Sequence, residues 1–265
     1  MEPAPSPLDH PAVGRRVFYP RSTTAVPTHL VDTGTARLGC HVRQTFPSAG
    51  TVVYFHGNGE LASESDAFCG DLFTQARVNV CFVEYRGYGA SDGQAALVAM
   101  LGDGAKVVEA LGLAPERVVA FGRSLGSLYA IELAHRFPRL GGLILESAIA
   151  AIPDLWPLDR EAEEIGCGAV ALNREIATHF DHRAKLGGYT GPQLVLHAAG
   201  DRHLDTTHAE RLHAWGGGTE KRLVVFPHGN HNSILMANLP AYSTALWTFL
   251  RDIGMTALPG GTRQA

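Results

Sequence analysis

Positive charge is not in excess in this chain and nowhere forms a block: Lys and Arg number 22 against 26 Asp and Glu, a net charge of −4. Nucleic acid is therefore not an expected partner, since a phosphate backbone is met by clustered cations. Long apolar runs are missing as well. No stretch approaches the ~18 consecutive apolar residues of a membrane span. The first residues, Met1-Glu2-Pro3-Ala4-Pro5-Ser6-Pro7, lack both the basic start and the apolar centre of a secretory signal. Cysteine is scarce, and Cys40, Cys69, Cys81 and Cys167 are scattered without C-x-x-C spacing. That excludes a disulfide framework and a cysteine zinc site, and points to a reducing, cytoplasmic setting. There is no internal repeat.

What is present suits one α/β domain: 265 residues, 45% hydrophobic, 18% charged, enough apolar material for a full core. Short apolar runs recur at 51–55, 78–85, 117–121, 142–146, 193–197 and 222–226, nearly uninterrupted, as strands buried on both faces are. Helical patterns alternate with them at about 61–77, 94–112, 125–137, 207–215 and 240–252, which predicts a mostly parallel sheet with helices on both faces. Ahead of it, 15–19, 28–32 and 36–44 read as shorter strands of an antiparallel edge. Residues 151–190 exceed the usual connection of roughly 2 to 6 residues, and contain helical pieces at 159–164 and 169–179. They are expected to form a small cap, with an ordinary crossover helix as the alternative. The termini, 1–12 and 256–265, are expected to be flexible.

In a parallel sheet of this kind ligands bind beyond the carboxyl ends of the strands, and those ends carry the polar motifs. Val118-Val119-Ala120-Phe121-Gly122-Arg123-Ser124-Leu125-Gly126-Ser127 runs an apolar strand into G-x-S-x-G and on into a helix. This is the pattern of a nucleophile elbow, with Ser124 at its tip and the Leu125 N–H at the helix start, positioned for an oxyanion. Gly89-Ala90-Ser91-Asp92-Gly93 matches the same pattern. It is separated from its strand by Arg86-Gly87-Tyr88, so Ser91 reads as a loop residue.

A serine hydroxyl needs a histidine to take its proton and a carboxylate to hold that histidine, in chain order Ser, acid, His. After the last apolar strand only His228 and His231 remain. His231 is favoured because Gly229 and Asn230 permit a tight turn that carries it away from the strand. For the acid, Asp201 ends the penultimate strand. Asp205, which could instead cap the next helix, and Glu146 are its rivals. His56-Gly57-Asn58-Gly59-Glu60 closes the first long strand, and the Asn58 N–H is the candidate second oxyanion donor. This loop matches neither phosphate-binding glycine motif, and His228-x-x-His231 matches no strong metal pattern, so no cofactor or metal is expected.

Taken together, His56-Gly57-Asn58-Gly59, Tyr85-Arg86-Gly87-Tyr88-Gly89, Gly122-Arg123-Ser124-Leu125-Gly126-Ser127, Gly200-Asp201 and Gly229-Asn230-His231-Asn232 resemble the α/β-hydrolase superfamily, over roughly 15–252. The nearest branch looks like the serine-aminopeptidase-like and palmitoyl-thioesterase-like hydrolases. The resemblance implies an α/β-hydrolase fold with Ser124 as nucleophile, Asp201 as acid, His231 as base, and the Asn58 and Leu125 amides as oxyanion hole. One departure stands out: where the family has H-G-x-x-D, this chain has His197-Ala198-Ala199-Gly200-Asp201. The expected function is a serine hydrolase cleaving an ester, a thioester or an amide of a small apolar acyl substrate through an acyl-enzyme. A peptidase, and a non-catalytic binding protein on the same fold, are the alternatives. Ile149, Ile152, Leu155, Trp156 and Leu158 line either an acyl pocket or the core of the cap.

Overall fold

The sheet has eight strands: β1 (His29–Asp32), β2 (Arg37–Arg43), β3 (Thr51–Phe55), β4 (Asn79–Val83), β5 (Val118–Arg123), β6 (Gly142–Glu146), β7 (Gln193–Ala198) and β8 (Lys221–Phe226). Their spatial order is β1-β2-β4-β3-β5-β6-β7-β8. β1, β2 and β4 pair antiparallel, while β4, β3, β5, β6, β7 and β8 pair in parallel. Every residue of β3, β4 and β6 is buried, as central strands covered on both faces require. The computed structural model describes residues 5–258.

The helices are α1 (Pro11–Val17), α2 (Ala62–Gln75), α3 (Asp103–Ala110), α4 (Gly126–Arg136), α5 (Ile152–Leu155), α6 (Asp159–Ile165), α7 (Ala169–His179), α8 (His182–Gly188), α9 (Thr206–Trp215), α10 (Ile234–Ala237) and α11 (Leu239–Asp252). Alternation along the strands divides the apolar residues into two cores. Val52, Tyr54, Val80, Phe82, Val119, Phe121 and Ile144 face α2, α10 and α11. Val53, Phe55, Cys81, Val83, Ala120, Leu143 and Leu145 face the layer that includes α4, α8 and α9. Among the described residues no helix is long and apolar enough to cross a membrane.

Two sequence expectations fail near the N-terminus. Residues 15–19 are not a strand: Pro11 starts α1, His10 Nδ1 accepts the Ala12 N–H, and Ala12, Val13 and Val17 form a buried face at helical spacing. Nor are residues 5–12 a free lead-in. Leu8 is completely buried, and the Asp9 carboxylate accepts the N–H groups of Val98 and Ala99. That contact also shortens the expected 94–112 helix, because 97–102 form turns anchored on Asp9 and α3 begins only at Asp103. At the other end Ala257 is buried and its N–H donates to the Arg77 carbonyl. Residues 1–4 and 259–265, expected to be flexible, lie outside the described residues.

Between β6 and β7 the chain makes four helices. α8 packs against α4 and α9 in the layer beside the sheet, which is the crossover itself. α6 packs instead on α1, with Arg15 paired to Glu164, and α7 is tied to the N-terminal segment by the Ser6 hydroxyl donating to Glu175. Ile149, Ile152, Trp156 and Leu158 are buried in the main core and Leu155 packs against it, so these apolar residues are core.

Candidate active site

All the parallel strands end on one edge, and the loops that follow them meet there. At the end of β5 the chain turns from strand to α4 through Ser124, whose φ of +50° is unusual for a residue with a side chain. The turn is held by the Ser124 N–H donating to the Glu146 carbonyl at 2.9 Å, and by the Ser127 N–H returning to the Ser124 carbonyl at 3.0 Å. The flanking glycines are there for space. A Cβ on Gly126 would lie 2.0 Å from the Phe55 carbonyl oxygen, and one on Gly122 would lie 2.7 Å from Ala130 Cβ. α4 can thus sit directly on β3 and β5.

The Ser124 hydroxyl is 2.8 Å from His231 Nε2, and His231 Nδ1 is 2.7 Å from Asp201 Oδ2. Three loops therefore deliver one unbroken hydrogen-bonded line. His231 is placed by a turn in which Asn230 Oδ1 accepts the N–H groups of Asn232 and Ser233, while Gly229 takes a φ of +81°. Asp201 Oδ1 accepts the His203 and Leu204 N–H groups at 2.9 and 3.0 Å, leaving Oδ2 for His231. Burial drives the Asp201 carboxyl upward, but hydrogen bonds from His231 and the Leu204 amide, the adjacent imidazole and the His203 amide outweigh it. The net effect holds the group below its ordinary value. The glycine displaced from the family pattern also finds its reason, since a Cβ on Gly200 would lie 2.5 Å from the Gly229 carbonyl. The loops that carry Asp201 and His231 touch there.

The rivals are otherwise engaged. His228 is exposed on the surface. Asp205 caps α9 by accepting the Thr207 N–H. The buried Glu146 carboxylate is taken by Arg123 Nε at 3.0 Å and by the Tyr242 hydroxyl. Ser91 lies in its loop, where its hydroxyl accepts the Gly39 N–H.

Asn58 and Leu125 stand at the loop after β3 and at the start of α4, and neither backbone N–H has a hydrogen-bond partner among the described residues. Leu125 is the first residue of a helix N-terminus, where amides lack intrahelical acceptors. The Asn58 side chain is pinned instead: Oδ1 accepts the Tyr19 N–H and the Tyr88 hydroxyl, and Nδ2 donates to the Val17 carbonyl. Behind this loop both ring nitrogens of buried His56 face oxygens, Nε2 on Glu84 and Nδ1 on the Gly57 carbonyl, each at 2.8 Å.

Sequence reasoning missed the two groups that join the loops. Arg123 pairs with Glu60 and Glu146 on one side and donates from Nη2 to the His231 carbonyl at 3.1 Å. Burial opposes the Arg123 charge, and the two carboxylates more than offset it. Glu60 also accepts the Gly57 N–H at 2.8 Å. The available signal was the placement of opposite charges immediately beside two motifs, in Gly59-Glu60 and Arg123-Ser124. His203 was missed too; its ring meets the His231 ring edge-on at 5.4 Å.

A family model described as serine aminopeptidase, S33, matches residues 47–171. The chain is similar to alpha/beta hydrolase domain-containing protein 17C of mouse and of human, at 24% identity over 177 residues. The aligned part is 65% of this chain and 52% and 50% of those proteins, so the chain spans about half the length of these relatives. Among solved structures it resembles an esterase of Pyrococcus furiosus (TM-score 0.71, 14% identity, 90% of this chain and 100% of that one). It also resembles an esterase of Thermogutta terrifontis (TM-score 0.64, 22% identity, 87% and 97%). At these identities the solved structures speak for the fold alone. The chain has the α/β-hydrolase fold, and residues 47–171 are similar to the serine aminopeptidase family.

Proposed function

We propose that this protein is a serine hydrolase that cleaves an ester or thioester of an apolar acyl group through a covalent acyl-enzyme. The observation that carries the reading is the line from Ser124 Oγ through His231 to Asp201, at 2.8 and 2.7 Å. With Nδ1–H donated to Asp201, the lone pair of Nε2 faces the Ser124 hydroxyl. Oγ attacks the carbonyl carbon as its proton passes to Nε2, and the oxyanion is received by the Asn58 and Leu125 N–H groups. Each such donor is worth about 3 kcal/mol of barrier. The imidazolium then gives its proton to the departing alcohol or thiol. Water, deprotonated by His231, attacks the acyl-enzyme, and the second collapse returns the proton to Ser124 and releases the acid.

In this reading the chain acts as one hydrolase domain. α5, α6 and α7 serve as a small cap beside the carboxyl edge of the sheet, supported by their separation from the crossover helix α8 and their ties to α1. A serine at the elbow, rather than a carboxylate, favours acyl transfer over displacement at a saturated carbon.

The test is labelling by a fluorophosphonate, followed by hydrolysis of p-nitrophenyl esters from acetate to palmitate and of an amino-acid p-nitroanilide. Stoichiometric labelling lost in Ser124→Ala, with rates that rise with acyl length, is the expected result. A folded wild-type protein that does not label refutes the hydrolase reading. Faster turnover of the anilide than of any ester replaces it with the peptidase reading.

A further inference from the structure

Between α2, α10 and α11 the sheet is incompletely covered. A cavity of about 360 Å³ opens there, walled by Leu72, Phe73, Phe121, Ile234, Leu235 and Leu246. Ser124, Asp201 and His231 do not line it. Tyr54 does: it is only 5% exposed, its ring stacks on Phe121 with centroids 4.7 Å apart, and its hydroxyl makes no hydrogen bond among the described residues. Its oxygen is not sealed off within the protein, so the phenol O–H is open to an acceptor on a ligand in the cavity.

The charged groups of the wall are already matched and leave nothing for an ionic ligand. Both Glu64 oxygens accept from Arg21, Glu60 is held by Arg123 and the Gly57 N–H, and Glu146 by Arg123 and Tyr242. The wall holds three carboxylates against the single guanidinium of Arg123, which opposes an anion. An ammonium would have to be buried against apolar walls with no free carboxylate to receive it. Burial also keeps the Tyr54 phenol un-ionised, its pKa raised well above the ordinary value, so it offers a donor. We propose that this cavity is a second ligand site, separate from the acyl-transfer site, for a neutral apolar molecule whose single hydroxyl or carbonyl oxygen accepts the Tyr54 O–H. Its wall shares Arg123 and Glu60 with the His231 and Asn58 loops, so an occupant packs against the groups that hold both.

The experiment is isothermal titration of the full chain with 1-octanol and 2-octanone, octanoate and octylamine serving as charged counterparts, with thermal unfolding in parallel. One equivalent of the alcohol or the ketone is expected to bind saturably and raise Tm, equally in wild type, in Ser124→Ala and in fluorophosphonate-labelled protein. The charged counterparts are expected to bind at least about tenfold more weakly. Tyr54→Phe keeps the ring and should weaken binding by about three- to tenfold, the worth of one neutral hydrogen bond. Leu72→Trp, made at a half-buried wall position, should abolish binding while the protein stays folded. Absence of saturable binding by both neutral probes overturns the proposal, as does binding indifferent to both wall variants or lost on labelling Ser124. Because the readout is binding, failure here is distinguishable from failure of the hydrolase reading, which rests on labelling.

Discussion

His182 opens α8 and is 2% exposed. Its Nδ1 lies 3.0 Å from the Ile149 carbonyl, whereas Nε2 is buried without a partner among the described residues. Burial, then the nearby Lys185 ammonium, oppose protonation; backbone contacts at Ile149 and Ala150 and the Asp181 carboxylate oppose them only partly, and the imidazole is pushed down to about 4. Lys185 is itself paired with Glu132 at 2.5 Å. The ordinary value is 6.5. Between these limits the unfolded chain binds a proton that the folded protein refuses, so stability rises with pH there and is lost on acidification from about 6.5 to about 4. At about 1.36 kcal/mol per pKa unit, roughly 2.5 kcal/mol disappears between pH 7.5 and 4.5. His182→Asn keeps a donor for the Ile149 carbonyl and removes the titration. Urea unfolding of both proteins across this range should show their stability difference shrinking by that amount toward pH 4.5. His208, also pushed down, is present in both and cancels. A difference that stays constant from pH 7.5 to 4.5 refutes the reasoning. The consequence reaches the site, because Ile149 and Ala150 lead from β6 into the helices after it, and His208 accepts the Ala150 N–H on the other side. Acid therefore acts on the root of the insertion.

Asp201→Asn should lower kcat for a p-nitrophenyl ester by roughly 10³ to 10⁴ with little change in KM, since it presents the wrong hydrogen-bonding group to His231 Nδ1; a loss under about tenfold would remove Asp201 from its role. The depressed Asp201 carboxyl also contributes stability above its unfolded value of 3.8 that is lost as pH falls below it, so Asp201→Asn should flatten the most acidic limb of the unfolding curve. Gly126→Ala, whose Cβ meets the Phe55 carbonyl at 2.0 Å, should cost at least about 3 kcal/mol or prevent folding. Gly187→Ala in α8 meets nothing within 4 Å and should be neutral or stabilising by up to about 1 kcal/mol, by thermal unfolding. Ser91→Ala should leave fluorophosphonate labelling unchanged and cost about 1 kcal/mol through the Gly39 N–H it abandons.

The parts of the molecule readable from sequence are those whose cause is local. β3, β4, β5 and β6 announce themselves as unbroken apolar runs because both faces are covered, and the elbow does so because the strand, the tight turn and the helix are contiguous. The N-terminus depends on partners elsewhere, whereas the edge strands expected at 28–32 and 36–44 are found as β1 and β2. Residues 15–19 contain apolar residues compatible with a strand, and only the cap by His10 together with the packing of α1 on α6 makes 15–17 helical. The expected helix over 94–112 fails for the same reason, since the contact that holds its first turns comes from Asp9, about 90 residues earlier.

The site divides along the same line. Ser124, Asp201 and His231 could be ordered by motif and chain sequence, but Glu60 and Arg123 become meaningful only when β3 and β5 lie side by side, with Phe55 in register with Gly122. Once they do, the glycines find their reason. None of Gly122, Gly126 and Gly200 has a positive φ. Each is instead a point where two segments pass closer than a side chain allows: Gly126 against Phe55, Gly122 against α4, Gly200 against Gly229. The displaced glycine beside Asp201 is therefore a spacing device. It lets the Asp201 loop and the His231 loop meet, and that contact, together with Arg123 on the His231 carbonyl, holds His231 at its distance from Ser124.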